Sequence, residues 1–211
     1  MSDMPAYAPL PMEAPEDQAQ RCGPGRPRQY DRLQALHALT RVFREKGFEA
    51  TSVEDLTSAA GLSRSSFYHA FGSKRGALLA ALEGHGACHR AALRRLAEAQ
   101  PEDDPIARAK AVIDGHFNAE VAETGCFLGD MAAELGRREP DVAAVVDAHA
   151  CRLMKDFSQL AAPLVGPVHA PARARAAYAL ALGAGVMRKS GAPPETLESL
   201  RQEARRLLGA A

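Results

Sequence analysis

Tryptophan is absent from the 211-residue chain and aromatic residues make up only 5% of it, while Ala and Leu dominate, which favours helices. No run approaches the roughly 18 consecutive apolar residues of a membrane-spanning helix, and Met1 to Pro15 carries neither the basic nor the apolar segment of a secretory leader. Membrane and secretory readings are thereby set aside, no membrane partner is expected, and the expected location is cytoplasmic. Cys22, Cys88, Cys126 and Cys151 include no Cys-x-x-Cys pair, so neither a zinc knuckle nor a dithiol redox motif is present and reduced thiols are expected. A Gly-rich phosphate loop, a nucleophile elbow and a His-Glu-x-x-His pair are missing as well, so no cofactor is expected. What remains, 46% hydrophobic and 25% charged, is the composition of a globular protein with a sizeable core.

The net charge is zero, yet its distribution is uneven. Residues 1–20 carry net −4, residues 21–75 net +5 and residues 76–211 net −1. A polyanion should therefore meet the first third of the chain.

The first 30 residues hold six of the 14 prolines and no amphipathic period, which describes a flexible tail over 1–29 ending in Gly25-Arg26-Pro27-Arg28. From Asp31 to Lys46, Leu36, Leu39 and Phe43 follow helical spacing up to Gly47. Thr51-Ser52-Val53-Glu54-Asp55 is cap chemistry for a short helix to Ala60. Gly61-Leu62-Ser63 makes a turn with a fresh cap, and Arg64 to Phe71 gives two further helical turns before Gly72. Two short helices joined by a glycine turn are a helix-turn-helix. Beyond Ser73 a long helix runs to about Ala99, then others from Pro105 to about Ala122, from Cys126 to Leu135, from Pro140 to near Pro163 and Gly166, from Pro171 to about Arg188, and from Pro194 onwards. No strand pattern appears, so the expected fold is all-α with about nine helices: a helix-turn-helix domain over 30–75 and a second domain over 76–211.

Three stretches now stand together: Gly47-Phe48-Glu49-Ala50-Thr51-Ser52-Val53-Glu54-Asp55-Leu56, Ala60-Gly61-Leu62-Ser63-Arg64-Ser65-Ser66-Phe67-Tyr68-His69, and Phe71-Gly72-Ser73-Lys74. This run, about a quarter of the chain, closely resembles the DNA-binding domain of TetR-family transcriptional repressors. The resemblance implies a homodimer on a palindromic double-stranded DNA operator, with the remainder of the chain forming an effector-sensing and dimerisation domain. Leu56, Leu62, Phe67 and Phe71 are read as core. Ser63, Arg64, Ser65, Ser66, Tyr68 and His69 are read as the polar face that enters the major groove, with Arg64 the base reader because a guanidinium bonds guanine O6 and N7 together. Thr51, Tyr68, His69 and Lys74 are expected on phosphates. Arg26 and Arg28 resemble a minor-groove hook.

In the second domain Gly125-Cys126-Phe127-Leu128 with Ala132-Ala133-Glu134-Leu135, and the segment Leu182 to Lys189, resemble a TetR subgroup that senses electrophiles or oxidants through the helix-opening cysteine. Cys126 is the expected sensing residue, Lys189 its expected cation, and a small-molecule or electrophile the expected effector. The alternative at the same place is a reversible organic ligand in a pocket formed from His85, His89, Phe117, Phe127, Met131, Met154 and Phe157, with Cys126 as inert lining. A metal-responsive repressor using His85, Cys88 and His89 at i, i+3 and i+4, with His116, His149 and Cys151 elsewhere, is a further alternative; the leading reading has no metal. A thiol-dependent enzyme is the remaining one, and the helix-turn-helix argues against it. The dimer is expected to use the small face of Ala176, Ala179 and Gly183 and the leucine side of the last helix, including Leu200.

Overall fold

A computed structural model of the chain describes residues 31–120 and 126–211. Among them it forms nine α-helices and no strand: α1 Arg32–Lys46, α2 Val53–Ala60, α3 Arg64–Phe71, α4 Lys74–Glu98, α5 Pro105–Glu120, α6 Phe127–Leu135, α7 Pro140–Val165, α8 Ala170–Lys189 and α9 Pro194–Leu208. Arg26, Arg28 and Cys22 lie outside the described residues.

The boundaries follow local chemistry. Asp31 caps α1 by accepting from the amides of Leu33 and Gln34, Ser52 and Asp55 form a reciprocal capping box on α2, and Ser63 and Ser73 cap α3 and α4. Helix α7 runs through Pro163 to Val165 and stops, as expected, at Gly166, which takes a φ of 83°.

Two apolar cores result. The first joins α1, α2 and α3 through Leu39, Phe43, Leu56 and Phe67, all fully buried, to Leu78 and Leu82 in the amino-terminal half of α4. It also takes in Phe127, Leu128, Met131 and Leu135 of α6, so this packing unit does not end at residue 75. The second lies among the other half of α4, α5, α7, α8 and α9. Fully burying a Leu or Phe side chain is worth about 1.5–3 kcal/mol, so α6 is anchored in the first layer and α4, through its two halves, in both.

Helix α8 has two small-residue faces. Ala170, Ala174, Ala177, Ala181 and Ala184 are buried and bring it close to α7 and α9. Ala176, Ala179 and Val186 on the other side are exposed, and nothing lies within 4 Å of the place a Cβ would occupy on Gly183. The leucine side of α9 packs largely within the protomer: Leu197 and Leu208 are buried, and the half-buried Leu200 lies against the same core. Leu200 thus has part of its surface covered within its own chain and part left open.

Candidate functional site

Helix α3 divides cleanly. Phe67 is fully buried against Phe71, whose ring centroid is 5.4 Å away, while Ser63, Arg64, Ser65, Ser66, Tyr68 and His69 are all exposed. The six polar residues expected to face the groove are thus brought onto one open surface at and beyond the helix start. Gly61 sets the angle between α2 and α3 with left-handed dihedrals (φ 63°, ψ 31°), and its amide closes onto Ser58 and Thr57. Ser63 Oγ accepts from the Ser66 amide at 3.1 Å and stands 3.0 Å from the Ser65 hydroxyl, so the first turn is ordered before any ligand arrives.

Arg64 reaches across the turn to Glu54, Nη1 to Oε1 at 2.7 Å, and its guanidinium carbon sits 5.9 Å from the Tyr68 ring centroid. Both partners are about two-thirds exposed, so the pair holds the arginine weakly and releases it at little cost. Asp55 is differently placed. Lys46 binds it at 2.6 Å and the Ser52 amide donates to it, which holds its carboxyl down at about 2.

Two residues expected on phosphates are used inside the fold. Thr51 is only 2% exposed, and its hydroxyl donates to the Gly47 carbonyl at 2.5 Å. Lys74 donates to the carbonyls of Phe48 and Thr51 at 2.7 Å each and of Glu49 at 3.4 Å, with its ammonium 4.4 Å from the Phe48 ring centroid. Its three N–H donors have three oxygen acceptors in the turn between α1 and α2, so it braces that turn. The turn's amides are held from the other side. Glu134 of α6 accepts from the Phe48 amide at 2.9 and 3.0 Å and from the Glu49 amide at 3.0 Å. A Cβ on Gly47, which has φ 76°, would come within 3.1 Å of that carboxylate, so the residue is glycine for both conformation and space. The same turn is therefore gripped by the first residue of α4 and by α6, both within the amino-terminal core. Sequence reasoning missed this role of Glu134, whose partners are 86 and 85 residues away and leave no local pattern.

Among the expected sensor residues, Cys126 caps α6, its sulfur accepting from the Gly129 amide at 3.3 Å. Lys189 is ion-paired with Asp130, one turn into the same helix. The seven residues expected to share a pocket are divided between layers: Phe127 and Met131 belong to the amino-terminal core, and Phe117 and Phe157 to the other. Met154 is partly buried on α7.

Between the two cores four histidines stack. His85 and His89 of α4 have ring centroids 6.5 Å apart, and His89 lies 5.2 Å from His116 of α5 and 5.8 Å from His149 of α7. Phe127 closes one end at 5.6 Å from His85, while Phe157 and Tyr178 meet His116 at 5.3 and 5.7 Å. Burial keeps the column neutral, pushing His85 down to about 3 and His89 and His149 to about 4, with His116 also well below its ordinary value. Cys88 is buried, which pushes its thiol up, and Cys151 is exposed beside Asp147. The alternative metal site at His85, Cys88 and His89 is corrected: among the described residues no three His, Cys, Asp or Glu side chains converge as a metal would require. Helical spacing puts i, i+3 and i+4 on adjacent faces, but here Cys88 turns into the helix packing.

A cavity of about 360 Å³ lies between α4, α5 and α7. Of the expected pocket residues it takes in Phe157, joined by Arg90, Arg94, Arg108, Leu153 and Leu160.

Residues 35–82 match the family model of "Bacterial regulatory proteins, tetR family". The chain is 31% identical over 123 residues to the HTH-type transcriptional repressor ComR of Escherichia coli K12, a match covering 56% of this chain and 58% of that protein. In three dimensions it is similar to a TetR-family transcriptional regulator from Streptomyces coelicolor (TM-score 0.73, 22% identity, 84% of this chain and 93% of that one). It is also similar to a cysteine mutant of the TetR-family regulator CifR complexed with 26-base-pair operator DNA (TM-score 0.70, 23% identity, 86% of this chain and 98% of that one). Residues 35–82 therefore carry the likeness to the tetR family of bacterial regulatory proteins, and the described helices together have the fold of TetR-family regulators.

Proposed function

We propose that this protein is a cytoplasmic, homodimeric transcriptional repressor that binds a palindromic double-stranded DNA operator through α3 and leaves it when an effector occupies the second domain. The observation that carries the reading is the split of α3, with Phe67 fully buried beneath an open row of short polar side chains and a loosely held arginine. A helix of that build enters the major groove by its first turn, where Arg64 exchanges Glu54 for a guanine edge. The likeness of residues 35–82 to tetR-family regulators supports regulation rather than catalysis. The dimer reading rests on the exposed face of Ala176, Ala179, Gly183 and Val186 on α8, which suits close approach of its symmetry mate.

Effector binding acts through differential affinity for two arrangements of the recognition helices. Glu134 is the contact that transmits it, because α6 holds the amides of the turn from which α2 and α3 start. Cys126 remains the proposed electrophile sensor. The Gly129 amide on its sulfur stabilises a thiolate, which adds to the electrophilic carbon of a quinone or enal while the acceptor takes up a proton. Lys189 serves that site by neutralising Asp130, which otherwise opposes thiolate formation.

The test is to select genomic fragments with the purified full-length protein and titrate them at two salt concentrations. Arg64→Ala should cost about 1–3 kcal/mol at its base pair and relax specificity there. Failure to retain any fragment, or an unchanged profile for the variant, overturns the assignment.

A further inference from the structure

The cavity between α4, α5 and α7 has two kinds of wall. One is apolar, with Leu93, Val112, Leu153 and Phe157 buried around it. The other carries three guanidinium groups, Arg90 and Arg94 from α4 and Arg108 from α5, together with the carboxylates of Glu98 and Asp156. Arg90 is committed to Asp156, with Nε at 2.9 Å and Nη2 at 2.8 Å from the same oxygen. Against Arg94 and Arg108 the lining then has only the carboxylate of the exposed Glu98, which leaves it with one net positive charge. An anionic head between Arg94 and Arg108 gains charge-assisted hydrogen bonds from their guanidinium groups, whereas a cation there meets two like charges and a neutral guest gains neither.

We propose that this cavity is a binding site for an amphipathic monocarboxylate, its head held between Arg94 and Arg108 and its apolar body lying on Leu153 and Phe157. A volume of about 360 Å³ accommodates a body on the order of ten non-hydrogen atoms. Phe157 is also where the guest meets the histidine column, since its ring stands 5.3 Å from that of His116. The role of such a ligand as effector rests on the regulatory reading above; its binding does not.

Decanoate, below its micellar concentration, is the probe for calorimetric titration of the full-length protein, with decanol and decyltrimethylammonium as matched neutral and cationic guests. Decanoate should bind saturably and the other two should not. Arg108→Gln should weaken decanoate by about tenfold or more, and Arg94→Glu, at an exposed position that leaves thermal melting unchanged, should abolish it. Absence of decanoate binding at millimolar concentration, equal binding of decanol, or unaltered affinity in Arg94→Glu each overturns the proposal, and the last does so even if Arg108→Gln fails to fold. A gel shift run separately divides the two claims: decanoate that binds without releasing DNA refutes only its role as effector, and loss of decanoate binding leaves operator recognition standing.

Discussion

Acid should unfold this protein through its histidine column before its carboxylates are touched. Unfolded histidines titrate near 6.5, whereas His89 and His149 in the folded chain are held at about 4 and His85 at about 3, chiefly by burial. Around them Arg44 disfavours charge on His85, while Arg90 and Arg152 disfavour it on His149 and Asp156 favours it. Below pH 6.5 the unfolded chain therefore binds more protons than the native one, so stability is complete above that value and falls as the pH drops towards 4. Each such histidine removes about 1.4 kcal/mol per pH unit in this window. By pH 4.5, His89 and His149 together remove roughly 5 kcal/mol, comparable to the whole stability of many domains. Asp55, already held at about 2, contributes nothing until the pH falls below its ordinary 3.8. Urea denaturation followed by circular dichroism from pH 7.5 to 4.5, at one fixed protein concentration, measures the slope. Replacing His89 and His149 by Gln should flatten it by about two protons' worth, whatever the variant's absolute stability. A stability that stays level between pH 6.5 and 4.5, or a slope no shallower after the double substitution, refutes the reasoning; His85 and His116 keep the remainder of the slope.

Glu134→Gln leaves the Phe48 and Glu49 amides with a weaker acceptor, and we expect it to retain operator affinity while losing much of the effector response in a gel shift; full release by effector would show that the contact does not couple the domains. Lys74→Met should destabilise the turn by about 1–3 kcal/mol in urea melts, since three carbonyls lose a charged donor. Val186→Arg, at a position 68% exposed in the protomer, should abolish dimerisation in sedimentation without lowering protomer stability, whereas Leu200→Arg should lower stability itself. Cys126→Ser should no longer be modified by quinones in intact-mass spectra and should stay on DNA when they are added; a response that persists places the sensor elsewhere.

Local rules carried the elements of this fold. The caps at Asp31, Ser52, Ser63 and Ser73 act over two or three residues, and the left-handed turn at Gly61 is written in adjacent letters, so the helix-turn-helix and its exposed arginine were legible without coordinates. The same holds for the small face of α8, which depends only on helical spacing. What packs against what was not legible. Lys74, read as a phosphate ligand, is turned inward because the carbonyls of a turn 23 to 26 residues earlier come within its reach. Leu200, read as a seam between subunits, also packs in part against the core of its own chain. His85 and His89 share a helix face that any wheel would show, but only the crossing of α4, α5 and α7 brings His116 and His149 to them and removes their water. The cavity arginines likewise come from α4 and α5, where each alone reads as a solvated charge. Short-range hydrogen bonds and periodicity are properties of the chain itself; desolvation, ion pairing and cavity shape arise only when distant segments occlude one another.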